Sequence, residues 1–175
     1  SILSKLIKAD GFDSPTGMIS ESSWLEHSDK MRKLLKIEAK SSLYEVGMGA
    51  GAFLYPYYNS VNKIGGIDYS TSLIKVAKKV MSKGDFIIGD ALNIDINNKY
   101  DLVVSNSVFF YFTSYEYAMK VLNKMFEKAT NTIAILEVSD IEYIKKAEKI
   151  RQKSLTAIEY QTKYKDFKHL YYSKD

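Results

Sequence analysis

"SSLYEVGMGAG", residues 41–51, joins a short apolar run to three glycines at alternate positions, Gly47, Gly49 and Gly51. Glycine weakens regular structure unless the backbone needs a positive φ or something must lie close against it. Three glycines within five residues exceed what a tight turn alone requires. The run before them reads as a strand, so the glycines stand where a strand hands over to the next element. In an open α/β sheet, ligands bind there, outside the carboxyl ends of the strands.

The chain on either side alternates between two periods. "KIGGID" (63–68), "FIIGDA" (86–91), "YDLVVSN" (100–106) and "NTIAILEVS" (131–139) read as four further strands. Between them, "STSLIKVAKKVMSK" (70–83) carries Leu73, Ile74, Ala77 and Val80 or Met81 at a spacing near 3.6, and "YEYAMKVLNKMFEKA" (115–129) is a second helix. A helix is also expected over residues 50–60, shortened by Pro56 and offering its positive end near Ala50, and another over 140–160. Upstream, "ILSKLIKA" is an amphipathic start, "DGFDSPTG" breaks it, and "SESSWLEHSDKMRKLLKIEA" is mostly helical. Apolar strands separated by helices predict an α/β fold: a Rossmann-like, mostly parallel sheet with helices on both faces. The expected organisation is an N-terminal helical cap segment, 1–40, followed by a Rossmann-like domain, 41–175.

Composition narrows the function classes. A chain of 175 residues with 46% hydrophobic and 26% charged residues and two prolines suits one folded domain. The net charge of +4 is spread out, without the concentrated footprint of a nucleic-acid binder. The densest basic group, Lys145, Lys146, Lys149, Arg151 and Lys153, reads as a solvated helix face. With no cysteine, disulfides, thiolate nucleophiles and zinc–thiolate sites are excluded, and no metal site is expected. No apolar stretch reaches membrane length and no leader pattern precedes the domain, which makes the cytoplasm the default location. The expected partner is a small molecule, neither a membrane nor a nucleic acid; homo-oligomers stay open.

Spacing alone leaves two ligands open. Gly47, Gly49 and Ala52 fit the G-x-G-x-x-A dinucleotide fingerprint, and Asp68 stands 21 positions after Gly47. A carboxylate at that strand end holds ribose hydroxyls in either case. An oxidoreductase would want a Tyr-x-x-x-Lys pair. Tyr117 is followed by Val121 at the Lys position, Tyr160 and Lys163 miss by one, and Tyr164 and Lys168 lie near the terminus without the expected context.

Four ordered segments carry a resemblance. "YEVGMGAGAF", "GIDYSTSLIKVAKK", "GDA" and "YDLVVSNSVFFYF" together resemble a class I S-adenosylmethionine-dependent methyltransferase of the small-molecule type, over about residues 41–139. The resemblance implies S-adenosylmethionine as cofactor, its methionine part against Glu45, Gly47, Gly49 and Gly51. It puts Asp68 on the ribose, Tyr69 and Ser70 beside the adenosine, Asp90 on the adenine amine and Ala91 next to it. Asn106 would meet the methionine amine through its carbonyl, with Ser107 adjacent, and Met48 would line the pocket. The implied activity is methyl transfer to a small molecule. A non-catalytic domain that keeps the nucleoside site is the other reading.

For the acceptor, Asn106-Ser107-Val108-Phe109 lacks the prolines of the Asn/Asp-Pro-Pro-aromatic motif used on adenine or glutamine amides. The aromatic run that follows offers Phe109 and Tyr111, with Phe110 and Phe112, as pocket walls. Trp24 is a candidate cover and His27 a candidate base, while His169 has no motif support. Asp101, at the opposite edge of its strand, is expected to be structural. Such domains carry seven strands, the last two a hairpin. After the fifth strand "FKHLYY" starts a sixth and little follows, so the C-terminal strands are expected to be incomplete, as in a truncated domain.

Overall fold

The computed structural model describes residues 1–14, 17–143, 146, 149, 156, 158–159, 162 and 169–173. Five strands form one sheet: β1 (Ser42–Val46), β2 (Lys63–Asp68), β3 (Asp85–Ile88), β4 (Tyr100–Asn106) and β5 (Ala129–Leu136). Their order is β3-β2-β1-β4-β5 and every neighbouring pair is parallel. The chain reverses direction across the sheet between β1 and β4. That switch point opens a crevice at the carboxyl ends of these strands.

Helices cover both faces, as the alternation of elements predicts. On one face α1 (Ile2–Ala9), α2 (Glu21–Leu34) and α3 (Thr71–Val80) bury Leu6, Ile7, Trp24, Ile74 and Ala77 against Leu43, Ile64, Leu102 and Val104. On the other, α4 (Tyr115–Lys128) buries Ala118, Val121 and Met125 against Tyr44, Ile67, Tyr100 and Val103. Ser20, Ser70 and Ser114 start α2, α3 and α4 by accepting from the N–H of Ser23, Leu73 and Tyr117. Residues 13–14 and 17–18 make a two-residue antiparallel ladder before α2. No helix among the described residues is long and apolar enough to cross a membrane.

Strand pleat decides what the crevice receives. Leu43 and Leu102 belong to the α1–α2–α3 face, so Glu45 and Asn106, two and four positions on, point to that same side, and Asp68 follows Ile64 in the same parity. Asp68 and Asn106 end their strands and Glu45 stands one position before the end of β1, all three on one face. At the far end, Asp101 accepts from the Ser42 N–H (2.7 Å) and hydroxyl (2.8 Å), and these bonds hold its carboxyl below the usual range.

The helix expected over 50–60 does not form. Gly51 has φ 87, and only a 3-10 turn, Tyr55–Tyr57, follows, with Pro56 inside it. Ala50, Gly51, Ala52, Phe53 and Leu54 are buried in succession, five positions that span every side of a helical turn and leave no polar face for an amphipathic helix. α2 covers this ground instead: Trp24 donates its indole N–H to Ala52 O (3.0 Å) and Tyr57 its hydroxyl to Ser28 O (2.8 Å). Most of the helix expected over 140–160 lies outside the described residues; within them Ile141–Tyr143 make a 3-10 turn. Of "FKHLYY", residues 169–172 are described. Among these, Tyr172 forms a single parallel bridge to Asp140, beside the chain leaving β5.

Candidate functional site

Between β1 and the Tyr55–Tyr57 turn the backbone folds into a shell of amides. Gly47 and Met48 donate to Ile67 O at 2.8 and 3.2 Å, and Gly49 N–H donates to Asp68 Oδ2 at 2.8 Å. Gly47 and Gly49 adopt φ 74 and 54, where side chains are strained, and neither has room for one. A Cβ at Gly47 would meet Val108 Cγ2 at 2.5 Å; one at Gly49 would fall on the Asp10 carboxylate.

Asp10 was not singled out by the sequence. It caps the end of α1 and turns its carboxylate into the glycine shell, accepting from Ala50 N–H (2.5 Å) and Ala52 N–H (2.9 Å). Burial pushes its carboxyl up to about 6, the amide bonds oppose this, and the neighbouring Asp68 charge adds to it. Glu45 is also raised well above its ordinary value, first by burial and then by Asp10 and Asp68. Three carboxylates therefore converge at the ends of β1 and β2.

A pH dependence follows from Asp10. Its folded value exceeds its unfolded one, so the folded state binds more protons across that interval. The stabilisation is complete below about 3.8 and is lost as pH rises through about 6. In Asp10→Asn this component is missing, while Glu45 titrates in both proteins. The difference in thermal midpoint between wild type and variant is expected to move against the wild type between pH 4 and 6 and to level off above 7. A constant difference would mean that Asp10 does not titrate there.

The crevice encloses about 880 Å³. Its walls include Glu45, Gly47, Met48, Gly49, Asp68, Tyr69, Asp90, Ala91, Asn106, Ser107 and Tyr111 of the residues picked out from sequence. Asn106 is 3% exposed, and neither atom of its side-chain amide has a hydrogen-bond partner; Glu45, 2% exposed, leaves Oε2 without one. Leaving buried polar atoms unpaired costs roughly 1–3 kcal/mol each. Asp68 divides its oxygens between Gly49 N–H and Ser70 N–H, each at 2.8 Å. Asp90 Oδ1 accepts from Leu92 N–H (2.8 Å) and the Tyr117 hydroxyl (2.5 Å), which brings Tyr117 into the wall.

Other expected residues lie elsewhere. Gly51 faces the Met81 side chain behind the turn, and Ser70 caps α3. Trp24 does not cover a substrate: it is buried in the core, its N–H spent on Ala52 O. His27 lies against Trp24, ring centroids 6.1 Å apart, outside the cavity wall, so it is not placed to act as a base there. Phe109 is core as well, packed edge-on to Phe112 at 4.9 Å, while Phe110, Tyr111 and Phe112 reach the cavity.

Two wall residues carry no sequence signal. Glu137 leaves the tip of β5 with φ 56 beside Ser107, φ 57, at the tip of β4, and the Ser107 hydroxyl donates to Glu137 Oε2. His169 arrives from the C-terminal segment, held by Leu170 N–H to Phe110 O (2.9 Å), and its ring stands edge-on to Phe110 (5.1 Å) and Tyr111 (5.2 Å). The wall thus holds Asp10, Glu45, Asp68, Asp90 and Glu137, with no Lys or Arg among its described residues.

Comparisons with known proteins agree with this geometry. Residues 44–130 match the family model described as "Methyltransferase domain". Protein 235L of Invertebrate iridescent virus 6 is 38% identical over 74 residues, 41% of this chain and 28% of that protein. The malonyl-[acyl-carrier protein] O-methyltransferase of Priestia megaterium is 30% identical over 92 residues, 50% of this chain and 34% of that enzyme. The chain therefore spans about a third of the curated relatives it matches. Among solved structures, Streptomyces venezuelae DesVI superposes with a TM-score of 0.61 at 18% identity, over 70% of this chain and 54% of that one. CalS10, a Micromonospora echinaspora amino pentose methyltransferase solved with S-adenosylmethionine, gives 0.59 at 14% identity, over 69% and 52%. At such identity the likeness is one of fold. Strand order, the switch-point crevice and the domain match over residues 44–130 place the chain in the class I S-adenosylmethionine-dependent methyltransferase family.

Proposed function

We propose that the chain binds S-adenosylmethionine in the crevice and transfers its methyl group to a small-molecule acceptor. The observation that carries this reading is the pair of buried, unpartnered groups beside the glycine turn, Glu45 Oε2 and the Asn106 amide. An amino-acid terminus supplies both an ammonium for the carboxylate and a carboxylate for the amide N–H. Asp68, whose oxygens each keep a free lone pair beyond their backbone bond, would take the ribose hydroxyls. Asp90 and Ala91 would border the base, and Met48, Tyr69 and Ser107 the remaining wall. When bound, the cofactor supplies a methyl group already activated on a sulfonium, so the protein contributes orientation and exclusion of water.

The wall chemistry disfavours a dinucleotide. A pyrophosphate would need the glycine-turn amides and a helix N-terminus. Here Asp10 occupies the amides of Ala50 and Ala52, no α-helix follows the turn, and Glu45 and Asp68 add negative charge. A sulfonium and an ammonium suit that field; phosphates do not.

Thermal denaturation with each ligand tests the assignment. At about 100 times its Kd a ligand adds about 2.7 kcal/mol, which for a chain of this size raises the midpoint by roughly 5–10 °C. S-adenosylhomocysteine and S-adenosylmethionine are expected to give that shift and NAD none. A shift from NAD alone would overturn the reading. Binding without transfer to any acceptor would favour an accessory domain instead.

A further inference from the structure

We propose that the acceptor is an amine, and that Glu137 holds its nitrogen and receives its proton; this rests on the methyl-transfer reading above. Charge is the first argument. Five carboxylates and no Lys or Arg line the described wall, so among the described residues an anionic acceptor would enter a field of its own sign. Methylation of an amine suits this field throughout. The nitrogen lone pair forms the N–C bond as the C–S bond breaks, sulfur keeps the electron pair, and the positive charge passes from sulfur to nitrogen. The cavity holds one positive charge before and after.

Placement is the second argument. Asp10, Glu45 and Asp68 form a coupled group at the β1–β2 end, and Asp90 caps the 3-10 turn Ala91–Asn93 and takes the Tyr117 hydroxyl. Glu137 stands apart from them, at the tip of β5. Ser107 donates one hydrogen bond to a carboxylate that can accept about four. Both residues hold the left-handed backbone region that side chains disfavour, which Lys36 also adopts after α2 but which at Ser107 and Glu137 falls on the cavity wall. Asn106, buried and unpartnered, directly precedes Ser107.

The third argument is the aromatic wall. Phe110 and Tyr111, ring centroids 4.3 Å apart, line the same cavity with Phe112 and His169. Ring faces attract an ammonium and shield the neutral amine from water. An alkylamine is protonated at neutral pH, so it must lose one proton before its lone pair can attack. Glu137 attracts the cation and accepts that proton, which then leaves through solvent.

The test uses the protein with methyl-labelled S-adenosylmethionine and a cell-derived small-molecule extract separated by ion exchange into cationic, neutral and anionic pools. Label is expected in a product of the cationic pool that survives mild alkali, as an N-methyl group does and a methyl ester does not. Glu137→Gln should lower turnover at least tenfold and leave S-adenosylhomocysteine affinity within about twofold. Its residual rate should climb with pH as the amine loses its proton in solution, and Glu137→Asp should restore part of the activity. Label from the neutral or anionic pool, alkali-labile label or an unaffected Glu137→Gln would each overturn the amine assignment, whereas no product from any pool while S-adenosylhomocysteine still binds would overturn the methyl-transfer reading beneath it. Failure of S-adenosylhomocysteine to bind the wild-type protein would overturn that underlying reading too.

Discussion

Gly49→Ala is expected to abolish S-adenosylhomocysteine binding. At φ 54 a side chain costs roughly 1–2 kcal/mol of backbone strain before any contact is counted. The new methyl would also fall on the Asp10 carboxylate, with Asp10 Cγ at 2.8 Å, and force it out of the turn. Ala50 and Ala52 would then lose their acceptor, and the amide shell that shapes the crevice would reorganise. Gly11→Ala is the matched control: φ is 75, but a Cβ there meets nothing within 4 Å. Gly11 also lines the crevice, but its substitution leaves the Asp10 bonds to Ala50 and Ala52 in place, so it should keep more ligand affinity than Gly49→Ala. Calorimetric titration of both variants, each checked for folding by circular dichroism, decides between them. Equal affinities would mean that the Asp10–Gly49 contact does not shape the site.

Asp68→Asn is expected to weaken both the fold and the ligand. Aspartate offers an acceptor to Gly49 N–H and another to Ser70 N–H. An asparagine amide offers one oxygen and one NH₂, so whichever way it turns, one backbone N–H faces a donor. Leaving a buried N–H unpaired costs about 1–3 kcal/mol. Hydrogen bonds to a charged group are worth about 1.5–3 kcal/mol, so loss of the carboxylate should also lower S-adenosylhomocysteine affinity by roughly tenfold or more. Chemical denaturation reports the first effect and titration of the folded variant the second. Lower stability with unchanged affinity would leave Asp68 as a pin for the glycine turn and remove it from the ribose.

Much of this protein was legible from local pattern. The five strands follow from apolar runs, α3 and α4 from their period, and the parallel sheet from the alternation of the two, because each depends on neighbours within one or two turns of chain. Strand parity then puts Glu45, Asp68 and Asn106 on one face, since the pleat repeats every two residues. The helix expected over 50–60 failed for a reason outside that stretch: residues 50–54 are buried in succession, and α2, which precedes β1 by several residues, ties the segment down through Trp24 to Ala52 O and Tyr57 to Ser28 O. Trp24 and Phe109 looked like site residues because aromatic character is visible in sequence and the direction of a ring is not. Asp10 and Glu137 went unseen, and His169 was set aside for want of a motif, for the converse reason. Nothing near them in the chain marks them, and each reaches the crevice through contacts across the fold: Asp10 with the amides 40 and 42 positions on, Glu137 with Ser107 30 positions back, and His169 against Phe110 and Tyr111. Sequence alone determined which strands end in polar residues. Tertiary structure decided which side chains share their cavity and gave it a wall of carboxylates, because burial, charge coupling and backbone direction at strand tips are set by residues far apart in the chain.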